Sequence, residues 1–178
     1  IGMKKVKHVL AGCLCVCALS MCTFPAFAAP ATTPSAETTK NETVVIKLFD
    51  PNDPNLISIT DASDTSKTTS RPTAHLDLRD NSPYHYSAYS NKNTMWTKYI
   101  FDNSGNHYRI QGTATNSNYN IIVHNGDNGK DYTYKGATSF DMYSEGLAGV
   151  SAPSEFYFGF DTKSSGGSVS VDGEANSY

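Results

Sequence analysis

The stretch that decides the fold is Glu155-Phe156-Tyr157-Phe158-Gly159-Phe160-Asp161. In a β-strand, successive side chains point to opposite faces, so its three phenylalanines fall on one face and the remaining four residues on the other. Three large rings on one face remove much apolar area from water when they pack against a facing sheet. We therefore expect this strand to form the centre of a hydrophobic core between two sheets.

The same alternation continues on both sides of that strand. Turn residues (Gly, Asn, Asp, Ser) recur roughly every 8–12 residues, and no helical i, i+3, i+4 stripe of useful length interrupts them. These features predict an all-β fold, a single antiparallel β-sandwich of jelly-roll-like form over residues 44–175. The predicted strands lie at about 44–49, 56–60, 74–79, 84–86, 96–101, 107–112, 119–123, 132–134, 139–143, 156–160 and 168–172.

The N-terminal region predicts export. Three lysines up to Lys7 precede an apolar run from Val9 to Cys22, and Ala26 and Ala28 supply the small residues before a cleavage point. This is typical of a helical, cleavable signal peptide over residues 1–28, and the apolar run is too short for a transmembrane helix. Leu10–Cys13 also matches a lipobox, but its apolar core lies on the wrong side of the cysteine. We expect a secreted protein with a flexible Thr/Ala/Pro-rich leader over residues 29–43.

Removing the signal peptide changes the composition of the chain. All four cysteines, from Cys13 to Cys22, lie within it, so the remaining 150 residues contain no thiol and form no disulfide. Three of 14 basic residues leave with it, which leaves 11 against 17 acidic residues and a formal net charge of −6. An acidic chain without a basic cluster argues against binding to nucleic acid or to an anionic membrane surface.

Two segments rich in oxygen donors, Asp50–Asn55 and Asn125–Asp131, suggest calcium at first sight. The Asn125 segment does not fit the loop of an EF-hand, because it has Gly and Lys at the fifth and sixth positions. Asn, Asp and Gly also favour tight turns, which we take as the main interpretation, with a calcium ion held between the two loops as the alternative. We predict no other cofactor.

Local spacing also predicts no zinc site. Four histidines follow the signal peptide, on separate predicted strands or strand ends, without a His-x-His or His-x-x-x-His pair. We expect them to be surface residues: His75, His85, His107 and His124.

No catalytic motif stands out. The chain after the signal peptide lacks cysteine and has no Gly-x-Ser-x-Gly elbow. Glu145, Glu155 and several aspartates could pair as acid and base, but sequence does not place two carboxylates across a cleft. We therefore expect a non-enzymatic protein, with a small secreted hydrolase or toxin-like effector, its site assembled from loops, as the alternative.

Aromatic residues are the remaining functional lead. Flat amphipathic rings on a sheet can stack on sugars or anchor a protein partner, although tyrosine is also a good strand former that fills sandwich edges in any β protein. We predict a binding module for an extracellular glycan or protein. The candidate binding residues are Tyr84, Tyr86, Trp96, Tyr99, Tyr134 and Tyr157.

Residues from about Ala74 to Ala175 carry a family resemblance. Met95–Phe101 is an aromatic strand near the start, Gly146-Leu147 precedes the aromatic strand Phe156–Phe160, and Val169-x-Val171 closes the segment. In this order of features the chain resembles the small β-sandwich modules of secreted Gram-positive bacterial proteins, of the pre-peptidase C-terminal type. The resemblance implies a secreted sandwich that accompanies an enzyme, and it supplies no catalytic or binding residue.

Overall fold

The structure, a computed structural model, describes residues 42–62, 70–103, 107–144, 152–162 and 165–178. These residues form twelve β-strands, along most of which buried and exposed side chains alternate. The signal peptide and residues 29–41 of the leader, like Glu145 and the Gly146-Leu147 pair, lie outside these residues. The strands are β1 (Val44–Lys47), β2 (Leu56–Asp61), β3 (Ala74–Asp77), β4 (Tyr84–Asn91), β5 (Thr94–Trp96), β6 (Tyr99–Asp102), β7 (Tyr108–Ala114), β8 (Asn120–Asn125), β9 (Lys130–Lys135), β10 (Ser139–Tyr143), β11 (Glu155–Asp161) and β12 (Ser168–Ser177).

The strands form two packed sheets, which confirms the predicted all-β sandwich. The five-stranded sheet has the order β1-β10-β7-β12-β4. The seven-stranded sheet has the order β2-β9-β8-β11-β6-β3, with β5 also paired to β11. No described segment forms a helix long and apolar enough to cross a membrane.

Pairing is antiparallel except at one edge of each sheet. The edge strand β1 runs parallel to β10, and the edge strand β3 runs parallel to β6. Parallel neighbours need a long connection between them, and here that connection passes through the other sheet. The predicted antiparallel sandwich therefore holds for every pair but these two.

The core lies between the sheets, and the three phenylalanines form its centre as predicted. Phe156, Phe158 and Phe160 are at most 1% exposed. The ring of Tyr108 in the five-stranded sheet stacks on Phe156 with centroids 3.6 Å apart, and Tyr86 meets Phe158 edge-on at 5.1 Å. These contacts join β11 to β7 and β4 across the sandwich.

The segment predicted as one strand over 96–101 is two strands in the structure. β5 ends at Trp96 and β6 begins at Tyr99, so that both pair with β11 on the same side. Thr97 bridges the break, because its backbone N–H donates to the carbonyl of Phe158 at 2.8 Å. A Cβ on Gly159 would lie 2.7 Å from the Trp96 indole, so glycine is needed here to admit that ring.

Candidate functional site

The six aromatic residues predicted to bind a ligand do not form one exposed surface. Tyr134 is completely buried, and its hydroxyl accepts a hydrogen bond from the Phe49 backbone N–H at 2.8 Å. Tyr86 also points inward and donates to the carbonyl of Gln111 at 2.9 Å. A ring that binds a ligand must face solvent, so all six rings are expected to be exposed; for these two the expectation is wrong, because alternation puts both on the core face.

Trp96 and Tyr157 lie on the outer face of the seven-stranded sheet, yet they are only 8% and 6% exposed. Arg71 covers them, with its guanidinium carbon 5.0 Å from the Trp96 ring centroid and 5.8 Å from that of Tyr157. Their expected exposure is wrong for this reason. Arg71 belongs to a polar stretch that has no hydrophobic alternation, so the sequence did not show that this residue lies over the sheet.

Arg71 is held by a buried carboxylate. Its two terminal nitrogens donate to the two oxygens of Asp131, at 3.1 and 2.7 Å, and Asp131 is 1% exposed. One of them also donates to the Tyr157 hydroxyl. His124 stacks on Tyr157 at 4.4 Å and places Nδ1 2.9 Å from Asp131 Oδ1, so the expected surface placement is wrong for this half-buried histidine. We refer to these residues together with Trp96 as the Arg71 cluster.

Tyr84 and Tyr99 are half-buried and meet edge-on, with ring centroids 6.0 Å apart. Tyr84, Tyr86 and Trp96 border one crevice of about 250 Å³ between β4 and β5, with Lys98 at its rim. The structure therefore brings three of the six predicted residues together there. A binding role for Tyr84 and Tyr99 stays a prediction.

A second concavity, which sequence reasoning missed, lies on the outer face of the five-stranded sheet. It is an open groove of about 650 Å³ that crosses three neighbouring strands. Its polar side chains alternate with core residues along each strand. They are Arg109 and Gln111 on β7, Asp141 and Tyr143 on β10, and Glu174 and Asn176 on β12.

Register arranges these six side chains in two rows. Asp141, Gln111 and Glu174 are direct cross-strand neighbours, and Tyr143, Arg109 and Asn176 form the adjacent row. A smaller hollow of about 290 Å³ shares Gln111 and Glu174 with the groove and extends it along the sheet. We call the two together the sheet groove.

The side chain of Arg109 is held in position in the sheet groove by an ion pair with Asp141. Its Nε and Nη2 donate to the two oxygens of Asp141, at 2.7 and 2.5 Å. The hydrogen bond to Asp141 raises the pKa of Arg109 above its usual value. Asn176 Nδ2 donates to Glu174 Oε1 at 3.1 Å, so the charged and amide groups hold one another in position.

Tyr178 borders the same groove and is 59% exposed. Its backbone is tied by two hydrogen bonds to His107, at 2.9 and 3.1 Å, which fixes where the ring emerges. The sheet groove thus combines an exposed aromatic ring with donors and acceptors in close rows. A sugar presents both an apolar ring face and hydroxyls that donate and accept, and such a surface complements it.

The two segments considered for calcium are turns, as the main interpretation predicted. The carboxylate of Asp53 accepts backbone N–H bonds from Lys47 and Asn55 at 2.7 and 2.8 Å. Asn125 Oδ1 accepts from the backbone N–H groups of residues 127 and 128, and Gly129 has the positive φ of 67° that the second turn requires.

One group of side chains has the donor set of a metal site. His75 on β3, Asp102 on β6 and Glu155 on β11 place one ligand atom each within 4.8 Å of the others. His75 Nδ1 lies 2.8 Å from Asp102 Oδ1, and both side chains are accessible. Sequence reasoning missed this group because its three members are far apart along the chain.

No family model matches the chain, and neither a curated protein nor a solved structure matches it. The resemblance to modules of the pre-peptidase C-terminal type therefore stays a prediction. Fold and site together define an all-β sandwich with a polar groove across one sheet.

Proposed function

We propose that this chain is a secreted, non-enzymatic binding module that holds an extracellular glycan in the sheet groove. The observation that carries the proposal is the pair of polar rows beside the exposed ring of Tyr178. The volume, about 650 Å³, falls within the range of roughly 300–1,000 Å³ common for small-ligand sites.

The chemistry of the groove favours a neutral glycan. Arg109, its fixed cation, already donates to Asp141 through Nε and Nη2, and Glu174 adds a further negative charge. A formal net charge of −3 for the whole sequence, or −6 without residues 1–28, also disfavours a polyanion. Amide and carboxylate groups remain to bind hydroxyls, each such bond contributing about 1 kcal/mol.

A protein partner is the less favoured ligand. Protein interfaces concentrate their energy in buried aromatic and arginine anchors surrounded by apolar area. Of the exposed large apolar side chains, Ile57 and Ile59 lie on edge strand β2 of the other sheet, and Val45 lies on edge strand β1 next to Asp141. The sheet groove is polar and open.

Binding to a panel of neutral and acidic polysaccharides tests the proposal. Isothermal titration with the best ligand should show an affinity at least roughly tenfold lower for Tyr178→Ala and for Glu174→Gln, a loss of about 1.4 kcal/mol each. The matched control is Tyr89→Ala, since Tyr89 is also exposed (56%) but lies on β4 outside the groove lining. Equal losses for Tyr178→Ala and Tyr89→Ala, or no binding to any glycan, would contradict the proposal.

A second candidate function is glycoside hydrolysis, and one observation favours it. Asp141 and Glu174 flank Gln111 in one row, two strand spacings or roughly 9.6 Å apart at the backbone. Carboxyl groups of inverting glycosidases lie about 6.5–9.5 Å apart. Asp141, however, is committed to Arg109 through both oxygens. Release of reducing sugar by the wild type that Glu174→Gln abolishes would establish hydrolysis, and its absence with binding retained would favour the binding module.

A further inference from the structure

His75, Asp102 and Glu155 form a group on the outer face of the seven-stranded sheet, away from the sheet groove. Register explains how they meet. Asp102 and Glu155 are direct cross-strand partners, and His75 lies two residues before Asp77, which pairs with Asp102 from the other side. The inward partners Phe101 and Phe156 are fully buried, which anchors the backbone beneath the group.

The charges in this row are unevenly compensated. Asp77, the third carboxylate, is engaged by Arg79 through Nε and Nη2 at 2.9 and 2.5 Å. Among the described side chains, the His75 imidazole contacts Asp102, with Nδ1 2.8 Å from Asp102 Oδ1. Within the described residues no side chain donates a hydrogen bond to the Glu155 carboxylate, and His75 is the neighbouring group that attracts its charge. Two carboxylates directly opposite each other in a sheet repel, and a bound dication would remove that repulsion.

The distances fit one ion. Zinc lies roughly 2.0–2.2 Å from nitrogen and oxygen ligands, so ligand atoms around a tetrahedral ion are roughly 3.4 Å apart. The three ligand atoms here already lie within 4.8 Å of one another. Binding would replace the hydrogen bond between His75 and Asp102 and would need rotations of these accessible side chains alone, because the backbones of the three strands are already paired.

We propose that His75, Asp102 and Glu155 bind a divalent transition-metal ion of the zinc class, with solvent completing the coordination. One imidazole nitrogen and two carboxylate oxygens suit such an ion, whereas calcium and magnesium prefer oxygen ligands alone. The ion joins edge strand β3 to β6 and β11. It therefore stabilises the edge of the sheet, independently of any ligand in the sheet groove.

Isothermal titration of chelator-treated protein with Zn²⁺ tests this site. We expect one saturable site per chain, with affinity at least roughly tenfold lower in His75→Ala and in Glu155→Gln. His107→Ala is the matched control, because His107 is also exposed but lies outside the group. Circular dichroism checks that each variant keeps its fold.

Two further measurements decide the outcome. Co²⁺ should give visible absorption of a low-symmetry nitrogen–oxygen site in the wild type and not in His75→Ala. Zn²⁺ should raise the melting temperature of the wild type and of His107→Ala only, since binding to the folded state stabilises it. Absence of saturable Zn²⁺ binding, equal binding by His75→Ala, or displacement of Zn²⁺ by equimolar Ca²⁺ would overturn the proposal.

Discussion

Arg71→Ala tests how the outer face of the seven-stranded sheet is held together. Arg71 neutralises Asp131, which is 1% exposed, through two hydrogen bonds at 3.1 and 2.7 Å. Removing one member of a buried ion pair costs about 3–5 kcal/mol, because the remaining charge stays away from water. His124 keeps its contact with Asp131 and Arg71 is itself one-quarter exposed, so we take the lower limit, about 3 kcal/mol.

That loss is large enough to measure by urea and thermal unfolding. For a domain of this size 1 kcal/mol corresponds to a shift of about 3–5 °C, so the melting temperature should fall by about 10 °C. Fluorescence of Trp96, the single tryptophan, should change as its cover is removed.

Arg79→Ala is the matched control for this prediction. Arg79 makes the same two-point contact with Asp77, but the side chains are 44% and 31% exposed. Exposed pairs contribute little to stability, so this variant should unfold close to the wild type. If Arg71→Ala and Arg79→Ala shift the transition equally, the Arg71 cluster does not act as a buried ion pair and the reasoning fails.

Three other variants or conditions test the core. Tyr134→Phe leaves the buried N–H of Phe49 without its acceptor and should cost about 1–3 kcal/mol in urea unfolding; an unchanged midpoint would contradict the assigned bond. Phe158→Ala should cost about 3–5 kcal/mol by the same assay, since its ring is fully buried, and a loss below about 1 kcal/mol would show that it lies outside the core. Burial raises the pKa of Tyr86 and Tyr108 well above 10.0, so the contribution of these two groups to stability is constant below pH 10 and falls as the pH rises beyond it. Tyrosinate absorbance that rises fully near pH 10, without unfolding, would refute this.

The sequence predicted which side chains of a strand face the core better than it predicted which strands pair with one another. Alternation alone placed Phe156, Phe158 and Phe160 in the core, because a strand exposes every second side chain to the same side. Strand order depends on long-range pairing that no local pattern encodes. The meeting of His75 with Glu155, and of Asp141 with Glu174 across Gln111, was therefore not predictable.

The aromatic residues show a second limit. Tyr86 and Tyr134 pack in the core because their hydroxyls reach a backbone carbonyl and a backbone N–H there. An amphipathic ring is thus compatible with either face, and composition does not choose between them. The polar residues Arg109, Gln111 and Glu174 did alternate with core positions, which is the one signal in the sequence that could have indicated the sheet groove.

Chemical-shift mapping of a glycan titration tests the central proposal most directly. Titrated with the best oligosaccharide of the panel, the ¹⁵N-labelled protein should show its largest amide shifts along β7, β10 and β12, around Gln111, Asp141 and Glu174. Shifts concentrated instead at Tyr84 and Tyr99, or an unchanged spectrum at saturating ligand, would contradict a glycan site in the sheet groove.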